Sequence, residues 1–335
     1  MFRIGHFFLA SLFAVALAPG AAFAQDCSQA SEIDSVNRAA IDAAATRFIQ
    51  FAAHGDLQSL LRNSIPTLAA AFDGIQQTVT HDKGAIGDQV SIRRDYLLDA
   101  SKASGKIADA EFFCGVYGAG GHTPSSASFL IPNLDPGLYA LVLTNVSGGK
   151  VPYMATVILQ NMQGQWKLAG YYPKPIEVNG HDAAWYVERA RSFKSSGQLH
   201  NAWLYYALAW ELYAPVDFMS SLQLDKLSNE IQAAKPADIP GPQQPVNLAA
   251  ANGRTYQLTH LFAAPGPQDG LSVVVKYAVA DVSNTAQAFQ DNTSVIKALT
   301  AKYPELREAF VGIVARATAA NGQDYGTLLA MKDIQ

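Results

Sequence analysis

Leu138-Tyr139-Ala140-Leu141-Val142-Leu143-Thr144-Asn145, with the runs at residues 151–160 and Trp166-Lys167-Leu168-Ala169-Gly170-Tyr171-Tyr172 that follow it, decides how this chain folds. Turn residues at Val146-Ser147-Gly148-Gly149 and Asn161-Met162-Gln163-Gly164 separate the three runs, which predicts an antiparallel meander. Side chains alternate across a strand, so Tyr139, Leu141 and Leu143 share one face and Leu138, Ala140 and Val142 the other. Both faces are apolar and both need a cover. The preceding helices supply one; the other requires a further element or a curl of the sheet.

Working upstream, Ile41, Ala44, Ala45, Phe48, Phe51 and Ala52 recur at three- and four-residue spacing and predict a helix with one buried stripe. Gly55 ends it, and Asp56 is placed to cap a second helix through Leu57, Leu60 and Leu61. Residues 68–79 read as a further amphipathic helix. Strand-like text begins near Val90 with Ile92, Tyr96 and Leu97 and returns at Ala110-Glu111-Phe112-Phe113-Cys114. Residues 115–128, rich in Gly, Ser and Thr, read as a loop.

Helices first, a Gly55-Asp56-Leu57-x-x-Leu60 break, then a meander closing on Trp166-Lys167-Leu168-Ala169-Gly170: this order resembles the NTF2-like (cystatin-like) fold over residues 33–176. The resemblance implies a long helix packed into a curved sheet around a conical pocket. In such a pocket a carboxylate among aromatics can do acid/base chemistry. Arg94, Asp95, Tyr96, Tyr139, Tyr153 and Trp166 are the mixture that would line it, although tyrosines and tryptophan also serve simply to fill a curved sheet.

Downstream, residues 181–234 read as a helical hairpin and a following helix. Tyr186, Ala190, Phe193, Gly197, Ala202, Tyr206, Ala209 and Pro215 resemble a single tetratricopeptide repeat. No second copy follows, so the pair is expected to pack on the open face of the meander rather than build a solenoid. Its aromatic content leaves Trp185, Trp203 and Trp210 as an expected interaction surface. Pro236, Pro240, Pro242 and Pro245 mark residues 235–253 as a linker. Residues 254–335 then read as a small α+β domain with strands at 255–263 and 271–281, a helical region over 293–320 broken around Tyr303-Pro304, where Pro opens a new helix, and a last strand at 325–331. The fold class is therefore α+β throughout.

The first 24 residues read as a secretory signal peptide: Arg3 is basic, an apolar stretch follows, and Ala22-Phe23-Ala24 forms a small-x-small cleavage site. With Arg3 removed, 23 basic residues face 28 acidic ones, a net charge of −5. That balance, without a Lys/Arg cluster, argues against a nucleic-acid partner. No second apolar stretch long enough to span a membrane follows the leader. The two cysteines, Cys27 and Cys114, read as a disulfide in an oxidising compartment, with two buried thiols or a reactive thiol as alternatives. Gly115 to His122 lacks the Gly-Lys-Ser/Thr ending of a phosphate loop, and the histidines are scattered without zinc-ligand spacing. No Gly-x-Ser-x-Gly elbow is present. No cofactor, metal or catalytic residue is assigned.

These features favour a secreted, periplasmic binding protein for a small apolar ligand or an envelope protein partner. The rival reading is an isomerase- or hydrolase-type enzyme working in the conical pocket.

Overall fold

The computed structural model describes residues 26–117 and 121–334. The signal peptide read over residues 1–24 lies outside them. Among the described residues nine α-helices and 15 strands make a mixed α+β fold.

The N-terminal half is built in three layers. Its central sheet runs in the order β1 (Asp26–Gln29), β2 (Gln89–Asp99), β5 (Leu138–Ser147), β6 (Tyr153–Met162) and β7 (Gln165–Pro175), every pair antiparallel. On one face lies α1 (Ser35–Ala53), which begins where Asp34 accepts a hydrogen bond from the Asn37 N–H at 2.9 Å. Gly55, at φ +71°, takes the left-handed conformation that ends it. Asp56 then caps α2 (Leu57–Arg62) by accepting from Ser59 N–H. The amphipathic stretch at 68–79 is divided between α3 (Pro66–Ala70) and α4 (Asp73–Asp82). Ile41, Ala45, Phe48 and Ile49 of α1 bury against Ala140, Val142, Ala155, Val157 and Leu168. Each large side chain taken from water there contributes about 1.5–3 kcal/mol.

The cover on the opposite face differs from the expectation. A second antiparallel sheet, β10 (Met219–Ser221), β4 (Gly121–Leu134) and β3 (Ile107–Tyr117), packs there. Its inward residues Ala110, Phe112, Cys114, Ala127 and Phe129 meet Tyr96, Leu98, Leu141 and Leu143. The stretch 115–128, read as a loop, thus forms much of β4. Within the second sheet Ala127 pairs with Cys114, and the Ser126 hydroxyl donates to the Gly115 carbonyl at 2.5 Å. A Cys27–Cys114 disulfide, Cα–Cα 5.1 Å, ties β1 of the central sheet to β3 of the second.

A two-stranded ribbon, β8 (Glu177–Val178) and β9 (His181–Asp182), leads into the hairpin. The hairpin, expected on the meander, packs instead on the C-terminal sheet. It comprises α5 (Ala183–Ser195), capped by Asp182, and α6 (Leu199–Tyr213), with Gly197 at φ +77° in the turn. α7 (Leu222–Ala234) follows. The sheet order is β11 (Val246–Ala249), β12 (Thr255–Pro265), β13 (Leu271–Val279), β14 (Gly312–Ala319) and β15 (Asp324–Ala330). The β13–β14 pair is parallel, joined through α8 (Thr285–Lys302) and α9 (Leu306–Ala309). One core unites Tyr186, Phe193, Ala202, Tyr206 and Leu212 of the hairpin with Leu258, Val273, Val275, Ile296 and Ile313. The break expected at Tyr303-Pro304 separates α8 from α9, but the second helix, read on to 320, ends at Ala309. Ile313, Ala315 and Ala317 face the core while Val314, Arg316 and Thr318 do not, a period of two that the alanines disguised. The stretch 235–253, read as a linker, supplies β11 at the sheet edge and buries Ile239 and Leu248. Its prolines precede the strand, where their missing N–H groups cost no ladder bond.

Candidate functional site

The six residues expected in one pocket do not converge. β2 alternates, and a bulge lies between Ile92 and Arg94. Tyr96 consequently faces the second sheet together with Tyr139, while Tyr153 and Trp166 lie in the opposite core under α1. Asp95 is buried and accepts from Arg38 Nε of α1 at 2.7 Å. Asp42, also on α1, has its carboxyl pushed up by burial and then by the charge of Asp95, against a smaller opposing effect of Arg38. Tyr153 donates to Asp82 Oδ1 at 3.3 Å, and burial with the Asp82 charge raises it to about 12. Tyr139 donates to the Asp135 carbonyl at 2.9 Å and is raised to about 12, chiefly by burial. Both phenols stay protonated at neutral pH and act as packed hydrogen-bond donors. The interior that would be a conical pocket is occupied by Phe48, Tyr153, Trp166 and Tyr171.

Arg94 and Tyr96 do line a recess, of about 70 Å³, with Arg93, Ser126, Tyr213 and Gln223. It lies where the central sheet meets the end of α6 and the start of α7. Arg93 Nη1 approaches the Met154 sulfur at 3.3 Å. The recess has room for little more than an ion or a few waters.

Larger uncovered surfaces occur elsewhere, on the outer faces of two sheets. On the second sheet, Asp109, Glu111 and Phe113 point outward along β3, opposite Pro132, Leu130 and Ser128 of β4. With Asp217, Phe218 and Met219 they line an open groove of about 580 Å³. Phe113 keeps 47% of its surface exposed and Leu130 48%. The described lining of this groove holds three carboxylates and no basic side chain.

On the C-terminal sheet the register places Phe262, Val274, Val314 and Leu328 in one row across four strands. The adjacent row is His260, Lys276 and Arg316, ending on Gly326. Val274 is buried by its neighbours, but Phe262 and Leu328 remain 37% and 47% exposed. Lys276 lies over the Phe262 ring, 5.8 Å from its centroid. Arg316 Nε donates to Asp324 at 2.8 Å. The helices and the hairpin all use the opposite face.

Of the three tryptophans expected as an interaction surface, Trp203 and Trp210 are half-buried against the shared hairpin and C-terminal core. Trp185 alone is exposed, at 40%, and stacks on His181 with 3.7 Å between ring centroids. The core of the C-terminal sheet consumes the aromatic surface that the sequence left unassigned.

Two polar clusters escaped the sequence reading. His200 of α6 meets Glu305 through Nδ1 at 2.7 Å and Asp238 through Nε2 at 2.9 Å, while Tyr303 donates to Asp238 at 2.8 Å. Burial pushes the Asp238 carboxyl up, yet hydrogen bonds from His200, Tyr303 and Lys302 outweigh it and hold the group at about 2. Buried Asp291 accepts from Arg254 at 2.6 Å and from the Tyr256 hydroxyl at 2.7 Å. Partners 35 to 105 positions apart leave no local spacing from which such clusters could be read. Both pin distant segments together. Among the described residues no helix is long and apolar enough to cross a membrane. No protein-family model, curated protein or solved structure matches this chain.

Proposed function

We propose that this is a non-catalytic binding protein of the cell envelope or its exterior, engaging a protein partner through uncovered sheet faces. The observation that carries the reading is the contrast between an α1-side interior filled by its own aromatics and two broad faces left without a cover. Contiguous exposed apolar surface on a folded chain marks an interaction site more often than chance exposure. The disulfide, together with the leader read at the N-terminus, supports secretion into an oxidising compartment. On this reading residues 33–176 form an NTF2-like domain whose pocket has been packed shut. The test is photo-crosslinking in the native host, with a benzophenone side chain at Leu130 or Leu328 and, as control, at exposed Val36 on α1. Adducts from the first two positions and none from the third are expected; absence of adducts from both faces would overturn the reading.

The acid/base alternative rests on Asp42, whose raised carboxyl lies beside Asp95. The tyrosine expected to join it, Tyr139, occupies the opposite core. Retention of full biological activity by Asp42→Asn would remove its support.

A further inference from the structure

The two uncovered faces carry opposite charge. In the groove on the second sheet, Phe113, Leu130 and Phe218 are rimmed by Asp109, Glu111 and Asp217. On the C-terminal sheet, the row Phe262, Val274, Val314, Leu328 is flanked by His260, Lys276 and Arg316. The groove thus sets an apolar strip beside three carboxylates, and the sheet face sets one beside Lys276 and the Arg316–Asp324 pair. We propose that they are the two halves of one interface: the acidic groove of one copy seats on the cationic sheet face of the next, so that the chain assembles head to tail. The inference rests on the binding reading above and names the partner as a second copy of this chain.

Three arguments favour this occupant. Groove-to-groove pairing would set Asp109, Glu111 and Asp217 against themselves, and face-to-face pairing would set Lys276 against its own copy. Like-charge juxtaposition of that kind disfavours both symmetric dimers. Pairing unlike faces matches charge with charge and aromatic with aliphatic. The charges also differ in freedom. Arg316 shares its charge with Asp324, whereas Lys276 has an aromatic ring rather than a carboxylate as its described neighbour. Glu111 is opposite Leu130 in the ladder, so its carboxylate has no cation across the strand. Lys276 and Glu111 are therefore the pair whose charges gain most from meeting. Because the two patches differ and belong to opposite halves of the chain, the contact is heterologous and closes into a ring or extends as a filament.

The experiment is sedimentation velocity on the full secreted chain with its disulfide intact, over a concentration series at low and at physiological salt. The expected result is association that grows with protein concentration and weakens as salt screens the charges. Glu111→Lys and Lys276→Glu should each weaken it by tenfold or more. An equimolar mixture of the two variants should recover most of the association, because each contact then joins opposite charges again. Circular dichroism melts establish that the variants fold; Asp109→Lys with His260→Glu serves as the second pair should either fail. A chain that stays monomeric at every concentration overturns the proposal. So does association that ignores one or both substitutions, or a mixture that does not recover. Crosslinks to a different protein from Leu130, with no self-association in the centrifuge, would sink this inference while leaving the binding reading intact.

Discussion

The central N-terminal sheet and the C-terminal sheet each have five strands, yet they solve the problem of burial differently. In β5, residues Tyr139 to Leu143 are consecutively buried, because helices cover one face and a second sheet the other. Along β14 buried residues alternate with half-buried ones, because the helices and the hairpin share a single face. A strand that is apolar on both sides demands two covers; one that alternates leaves a face free. The difference separates a sheet closed in on both sides from one that keeps a face for contact. It also separates their fastenings. The N-terminal half is tied across its two sheets by a disulfide and holds buried Asp95 on Arg38, and the C-terminal half is held by ion pairs around half-exposed Asp238 and buried Asp291.

The largest break in this comparison is removal of the disulfide. Closing a loop across 87 positions stabilises by roughly 4 to 5 kcal/mol on the chain-entropy account. Cys27→Ser with Cys114→Ser should lower unfolding free energy by up to that amount. Hydrogen exchange should show lost protection in β1 to β7 while β11 to β15 hold. Equal loss in both halves would show that they unfold as one unit.

A sharper test uses neighbours on β12. Leu261 faces the core and is almost fully buried, while Phe262 faces outward. Leu261→Ala should cost about 2–5 kcal/mol through lost transfer energy and a cavity. Phe262→Ala should stay within about 1 kcal/mol in urea unfolding and should show itself mainly as weakened association. Comparable losses at both positions would mean that the outer face is covered within the chain.

Much of this contrast was legible in the sequence. The meander and the need for two covers followed from apolar residues on both parities of residues 138–145, and the capping roles of Gly55 and Asp56 followed from local chemistry. The identity of the second cover did not. β4 carries Gly, Ser and Thr where it pairs with β3, and such residues imitate a loop in sequence. The hairpin's docking partner was equally hidden, since its aromatics show that a surface is buried without showing against what. The six residues read as one pocket failed for a simpler reason. Neighbours on a strand, such as Asp95 and Tyr96, point to opposite faces and could share a pocket only at a bend.

The Asp238 cluster of the C-terminal half gives a pH signature of its own. Asp238 titrates near 2 in the folded chain, below its ordinary value of 3.8, so its contribution is present above about pH 4. That contribution is lost as pH falls from about 4 through about 2. The side chain is 38% exposed, and solvent screening reduces the effect to about 1 kcal/mol. Asp238→Asn should remove this part of the acid dependence and loosen the contact of α6 with the segment before β11. An unchanged acid limb in urea titrations between pH 4 and 2 would show that the cluster is energetically silent.

The smallest expected effect is at Trp185, and it bears on which surface is functional. Trp185 opens α5, stacks on His181 at 3.7 Å and meets the Tyr186 ring edge-on at 5.0 Å. Aromatic pairs of this kind are worth about 0.5–1.5 kcal/mol beyond area when buried. Here 40% of the indole surface remains in water, so Trp185→Ala should cost less than about 1 kcal/mol. A true anchor for a partner behaves differently: truncation leaves folding intact but removes binding. Trp203 and Trp210 cannot join Trp185 in such a patch, because both are packed against the C-terminal core. Trp185→Ala should therefore leave self-association unchanged while Phe262→Ala weakens it. Loss of association with Trp185→Ala and not with Phe262→Ala would return the contact surface to the hairpin and make the open sheet face a bystander.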